Sequence, residues 1–247
     1  MHSFVVVIPA RYQSSRLPGK PLLEIAGKPM IAHVIERAKE SGAADIVVAT
    51  DNAEIAKTVT ALGTRVCMTR DDHASGTDRL TEVVIKEQLA DDQIVVNLQG
   101  DEPLMPASLL EQVVGLLDNE PRASIATLST AISDAEALKD PNVVKVVTAN
   151  NGRALYFSRA PIPWDREGNS PAHVITAQRH LGLYAYRANF LKRYNALPPS
   201  PLEQLEHLEQ LRALQAGDWI QVAQANCLPG PGVDTFEDLL KVEAKLQ

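Results

Sequence analysis

Apolar positions in the first hundred residues fall into short unbroken runs separated by longer segments with helical spacing. The runs at 4–8 (FVVVI), 45–50 (DIVVAT), 65–69 (RVCMT) and 93–98 (QIVVNL) read as strands buried on both faces. Between them, Ile31, Val34, Ile35 and Ala38 recur on one helical face that begins after Pro29. Residues 54–62 form a second helix, stopped at Gly63, and residues 77–89 a third. Buried strands alternating with helices predict a parallel sheet covered on both sides, a doubly wound α/β unit.

The second half is less regular. A helix is expected at 107–117 and strands at 123–129 and 143–148. Residues 155–180 are rich in Pro, Arg and aromatics without helical period, and suit an arm on another subunit or a lid. LGLYAYR at 181–187 alternates as a strand does. Residues 201–216 read as one long amphipathic helix with Leu202, Leu205, Leu208, Leu211 and Leu214 on one side. A last strand at 220–223 and a closing helix at 236–246 complete a single domain over 1–247, with no repeat and no clear linker.

Composition narrows the class. An apolar fraction of 45% suffices for one packed core, and a net charge of −7 argues against nucleic acid or an anionic membrane as partner. Two distant cysteines, Cys67 and Cys227, suggest neither a disulfide framework nor a zinc site. With no signal-like or membrane-spanning run, the expectation is a soluble cytoplasmic protein.

Chemistry concentrates in loops. PARYQSSRLPGKPL, residues 9–22, follows the first strand and carries Arg11, Arg16 and Lys20 around Ser14, Ser15 and a Pro18–Gly19 turn. Donors and cations at the carboxyl end of a strand suit polyphosphate, because open α/β sheets bind ligands there. The loop has neither Walker A nor Gly-x-Gly-x-x-Gly spacing, so P-loop hydrolysis and a Rossmann dinucleotide are excluded. After the fourth strand, NLQGDEP puts Asp101 on a turn where it could hold Mg²⁺ against phosphate oxygens or cap the turn. GPGVDT offers a second carboxylate, Asp234, whose alternative is to cap the closing helix, a role open to Thr235 as well. In RDDHASGTDR, the Ser75–Thr77 turn could read a base edge with main-chain groups, cap a helix, or do both. His73 there is either an acid–base group or merely hydrogen-bonded.

PARYQSSRLPGKPL, RDDHASGTDR, NLQGDEP, ALYFSRAPIPWDR, RHLGLYAYR, PSPLEQLEHLEQLR and PGPGVDT, in this order, closely resemble the 3-deoxy-manno-octulosonate (Kdo) cytidylyltransferases over nearly the whole chain. The resemblance implies a mostly parallel doubly wound sheet of nucleotidyltransferase (Rossmann-like) type, with a dimerising and sugar-binding portion in the second half. It implies transfer of CMP from CTP to Kdo for lipopolysaccharide synthesis, Mg²⁺ dependence and a homodimer. By matching motif position, Arg11, Arg16 and Lys20 would bind the triphosphate, and Arg70 and Ser75 the cytidine side. Lys20, Arg16 and Asp101 would carry catalysis, and Asp101 and Asp234 would hold magnesium. Gln99, Arg159, His180, Tyr184, Tyr186, Glu209 and Gln210 match sugar-pocket positions, with Arg159 and His180 the cations available for the sugar carboxylate. Phe236 departs from the family's usual Pro after Val-Asp-Thr and should alter capping more than chemistry. Rival acceptors are 8-amino-Kdo and sialic acid, and the rival class is a non-catalytic nucleotide-binding regulator.

Overall fold

The computed structural model describes residues 3–13, 17–73, 75–132, 134–168 and 176–247. The run FVVVIPA forms β1 (Phe4–Ala10), and the alternation of its side chains divides the core in two. Phe4, Val6 and Ile8 face helices α1 (Met30–Glu40) and α4 (Ala107–Asn119). Val5 and Val7 pack on the other side with Leu80, Val83 and Val84 of α3 (Gly76–Lys86) and Phe190, Leu191 and Tyr194 of α6 (Ala188–Tyr194). Both faces are therefore buried, as the unbroken apolar runs require.

β1 is flanked in parallel by β4 (Asp45–Thr50) and β6 (Ile94–Asn97), and β4 by β5 (Arg65–Met68). Beyond β6 come β10 (Gln178–Arg187), β7 (Ile125–Ala131) and β11 (Ile220–Gln224). Of these, β10 runs antiparallel to both β6 and β7, while β7 and β11 pair in parallel. A mostly parallel sheet thus carries a reversed strand near its middle, whose Tyr184 lies opposite Asn97 at the carboxyl end of β6. Between β1 and β4 a short hairpin, β2 (Glu24–Ile25) and β3 (Lys28–Pro29), leads into α1. Asn52 caps α2 (Ala53–Ala61), its side-chain oxygen accepting from the N–H groups of Glu54 and Ile55 at 2.8 and 3.1 Å.

Two expectations change. The arm at 155–180 is partly ordered into the sheet: β8 (Lys145–Thr148) pairs with β9 (Ala154–Ser158), and β10 begins at Gln178. The single helix over 201–216 is two helices, α7 (Pro201–Glu206) and α8 (Gln210–Gln215), broken at His207 with φ 50° and ψ 50°. Arg159 causes much of that break. Its Nε donates to the carbonyl of Glu206 at 2.6 Å and its backbone N–H to the Glu206 carboxylate at 2.8 Å. Leu205 consequently points outward, 80% exposed, while Leu211 is fully buried. The Arg159 carbonyl is itself held at 2.6 Å by the buried Lys145 ammonium, which also donates to the carbonyls of Asp140 and Val143. Among the described residues no helix is long and apolar enough to cross a membrane.

Candidate functional site

Three loops converge at the carboxyl ends of β1 and β6. The chain leaving β1 turns at Gly19, whose φ of 67° is left-handed, and enters a short 3₁₀ turn (Lys20–Leu22) that aims Lys20 inward. The Lys20 ammonium donates to Asp101 Oδ2 at 2.6 Å and to the Val233 carbonyl at 2.7 Å, and stands 3.5 Å from Asp234 Oδ1. Lys20 therefore ties all three loops, and the carboxylates of Asp101 and Asp234 face one point. The Val233 N–H donates to the Asp101 carbonyl at 2.9 Å and fixes the second acidic loop on the first. Thr235, not Asp234, caps α9 (Phe236–Leu246), through a reciprocal box with Asp238. Phe236 opens that helix 63% exposed.

Glu102, absent from the sequence-derived site, joins this acidic group. Burial first, and then the charges of Asp101 and Asp234, push its carboxyl up to about 7, against the pull of Lys20 and Arg179. Asp101 and Asp234 are two hard oxygen donors at a strand end. That set fits Mg²⁺, which takes few protein carboxylates and shares itself with phosphate and water.

A cleft of about 500 Å³ opens beside these groups, lined by Arg11, Lys20, Ser75, Gln99, Asp101 and Asp234. Arg11 Nη2 donates to the Ser75 carbonyl at 3.0 Å, and Ser75 Oγ accepts from the Asp78 N–H at 3.1 Å, capping α3. Burial and the neighbouring Arg79 lower the Arg11 pKa. Beneath it, the fully buried Arg79 donates to Asp51 Oδ2 at 2.8 Å and to Thr69, bracing the ends of β4 and β5. Arg70 is placed differently: it forks onto Asp72 at 2.8 and 3.0 Å, is largely exposed and does not line this cleft. Arg16 lies outside the described residues. His73 pairs with Glu82, the plainer of its two readings.

Two further cavities adjoin. One of about 420 Å³ is lined by Gln99, Glu102, Arg179 and His180, and one of about 240 Å³ by Asn97, Gln99, Tyr184, Tyr186, Glu209 and Gln210. Gln99 lines all three spaces and marks their junction. Glu209 accepts from Thr77 Oγ1 at 2.6 Å, so the break at His207 delivers it onto the start of α3. His180 lies between Phe157 and Tyr184, with Nε2 3.0 Å from Thr127 Oγ1. Burial lowers its pKa to about 3.

The two cations expected for the sugar carboxylate are placed differently from that expectation. His180 is neutral near pH 7. Arg159 is committed to the carbonyls of Glu206, His207 and Pro141 and lines none of these cavities. Arg179, one residue before His180, lines the larger sugar-side cavity instead. Arg179, Asn97 and Glu102 all stood inside the motifs RHLGLYAYR and NLQGDEP. Strand alternation alone does not assign them, because at a strand end both faces meet the cleft.

Cations, two carboxylates and an anion-sized cleft can hold a nucleoside triphosphate and neutralise charge on it, while the adjoining polar cavities can hold a second, polyhydroxylated reactant. Comparisons with known proteins agree in kind. Residues 5–221 match the family model described as cytidylyltransferase. The chain is 56% identical over 242 residues to a 3-deoxy-manno-octulosonate cytidylyltransferase from Idiomarina loihiensis, covering 96% of each chain. A solved structure of CMP:2-keto-3-deoxy-manno-octonic acid synthetase complexed with CTP superposes with a TM-score of 0.91 at 48% identity, covering 99% of this chain and 98% of the other. A 4-diphosphocytidyl-2C-methyl-D-erythritol synthase shares the fold at a TM-score of 0.66 and 16% identity, over 100% of this chain and 99% of its own.

Proposed function

The chain belongs to the cytidylyltransferase family, and we propose that it activates Kdo with CTP, giving CMP-Kdo and pyrophosphate for lipopolysaccharide synthesis. The observation that carries this reading is the meeting of Lys20, Asp101 and Asp234 at the rim of a triphosphate-sized cleft that joins two polar cavities at Gln99. The anomeric hydroxyl of Kdo attacks the α-phosphorus in line, the P–O bond to the β-phosphate breaks, and pyrophosphate leaves opposite.

Such a transfer needs position and charge neutralisation more than a protein nucleophile. Lys20, held on Asp101, would neutralise the negative charge that gathers on the leaving pyrophosphate, and Arg11 with Ser75 orders the edge of the nucleotide cleft. Arg16 belongs with Lys20 on the triphosphate by its place in the loop. Arg179 receives the sugar carboxylate; His180, neutral, bounds the same cavity without adding charge. Arg159 acts at one remove, by holding the turn that presents Glu209. Asp101 and Asp234 are the residues that would hold Mg²⁺, which when bound neutralises phosphate charge and lowers the pKa of a coordinated hydroxyl.

A homodimer suits the exposed apolar side chains of Leu155, Trp164 and Leu205 on and beside the arm. A cytoplasmic site of action suits the CTP substrate and two free cysteines. The function is tested by pyrophosphate release from CTP and Mg²⁺ with Kdo, 8-amino-Kdo and sialic acid offered separately. Release with Kdo is expected. Release with another acid alone would reassign the acceptor, and CTP binding without release would make the protein a regulator.

A further inference from the structure

A fully buried arginine is costly, because its guanidinium is taken out of water and does not give up its charge. Arg79 is such a residue, 0% exposed, and the transfer described above does not use it. It donates to Asp51 Oδ2 at 2.8 Å and to the Thr69 hydroxyl, and among the described residues its Nε meets no acceptor. A buried ion pair is a poor source of stability, since apolar side chains of similar volume often do as well. The reason for this one lies in what it does to a neighbour.

That neighbour is Arg11. It lines the nucleotide cleft, where its Nη2 donates to the Ser75 carbonyl at 3.0 Å. Neither Arg79 nor Asp51 is among the described residues lining that cleft. Burial and then the charge of Arg79 lower the Arg11 pKa; Asp51 opposes them, ahead of Glu209 and Asp78. Asp51 is thus the carboxylate that pulls on Arg11 most strongly. A guanidinium binds a carboxylate more strongly than a neutral carbonyl. Arg11 nevertheless stays on the Ser75 carbonyl, while the Asp51 side chain, 15% exposed, is held by Arg79. Glu209 is held in turn by the Thr77 hydroxyl at 2.6 Å.

We infer that Arg79 is a positioning residue for the nucleotide site: by occupying Asp51 it denies Arg11 a competing carboxylate and keeps the Arg11 guanidinium on the cleft wall, where a nucleoside triphosphate meets it. The bond to Thr69 holds Arg79 at the end of β5 and aims its fork at Asp51, at the end of β4. The inference rests on the reading that this cleft takes CTP, and adds what prepares the cleft before CTP arrives.

The test is the Kd for CTP with Mg²⁺, measured by calorimetry without any sugar, for the unaltered protein and three variants. Arg79→Met leaves Asp51 free to capture Arg11, and Kd is expected to rise by about 10-fold or more. Adding Asp51→Asn to Arg79→Met removes the competing carboxylate and should return Kd to within about threefold of the unaltered value. Arg79→Lys keeps a cation on Asp51 while giving up the fork to Thr69, and should also stay within about threefold. A brace that only supports the fold predicts otherwise, the double variant binding CTP no better than Arg79→Met. That result would overturn the inference, as would an unchanged Kd in Arg79→Met or a rise of about 10-fold in Arg79→Lys. If Arg79→Met alone does not fold, the other two variants decide, because weak CTP binding by either contradicts the occupation of Asp51. Absence of CTP binding by the unaltered protein would instead refute the assignment of the cleft.

Discussion

Gly100 sits between Gln99 and Asp101, and its replacement by Ala probes how closely the Asp101 turn must approach the phosphate loop. A Cβ built there would lie 2.7 Å from the Pro9 carbonyl oxygen, where ordinary contact begins at 3.4 Å. One of the two backbones must move by roughly 0.7 Å, and neither can swing away as a side chain would. Overpacking of this kind costs about 1–3 kcal/mol, or about 2–12 °C in Tm for a chain of this length. The displacement also falls on Asp101, whose carboxylate meets Lys20 at 2.6 Å. Since a misplacement of about 1 Å can cost about 100-fold in rate, Gly100→Ala should lower kcat/KM by about 10- to 100-fold. Steady-state pyrophosphate release and thermal unfolding read the two effects. Gly115→Ala is the control: nothing lies within 4 Å of its Cβ, and in the interior of α4 it should stabilise by about 0.5–1 kcal/mol. Gly100→Ala with unchanged Tm and kcat/KM within about twofold of the unaltered enzyme would refute the reasoning.

Arg179→Met should raise KM for Kdo by about 10-fold or more and leave KM for CTP within about twofold; equal rises in both would remove Arg179 from the carboxylate. His180 is neutral in the folded protein above about pH 3, whereas its ordinary pKa is 6.5, so the unfolded chain binds the extra proton between these values. Its contribution to stability is therefore complete above about 6.5 and is lost as pH falls towards 3. Unfolding by urea at pH 7 and pH 5 should show the unaltered protein losing about 1–2 kcal/mol more than His180→Gln on acidification, and an imidazole titrating near 6.5 by NMR would contradict this. His207 has φ 50°, so His207→Gly should be neutral or slightly stabilising while His207→Val costs about 1–2 kcal/mol in chemical denaturation. If Val is tolerated, the break between α7 and α8 is not held where the structure puts it.

What was legible in the sequence was whatever short-range pattern determines. The run FVVVI and the spacing Ile31, Val34, Ile35, Ala38 specify a strand and a helix before any partner is known, and both lie where that pattern puts them. The loops carrying Lys20, Asp101 and Asp234 were recognisable by composition, and the parallel sheet brings them together. What escaped was long-range. The leucine repeat from Leu202 to Leu214 suggests one continuous helix, yet its three-residue step drifts around an α-helix of 3.6 residues per turn, and Arg159, some fifty residues away, binds the backbone at Glu206 and His207 where the helix breaks. The same commitment removes Arg159 from the sugar-side cavities. His180 likewise reads as a cation until Phe157 and Tyr184 are seen to surround it. Arg179 and Asn97 become recognisable only when β10 is found reversed beside β6, with Tyr184 opposite Asn97.

The central claim is that Asp101, held by Lys20 beside Asp234, acts on the transfer step rather than on nucleotide binding. Asp101→Asn keeps the shape and removes the charge, so the deciding measurement is its single-turnover rate of CMP transfer beside its Kd for CTP. The account predicts a rate lower by about 100-fold or more with Kd within about threefold. Equal losses in rate and affinity, or no loss in either, would contradict it.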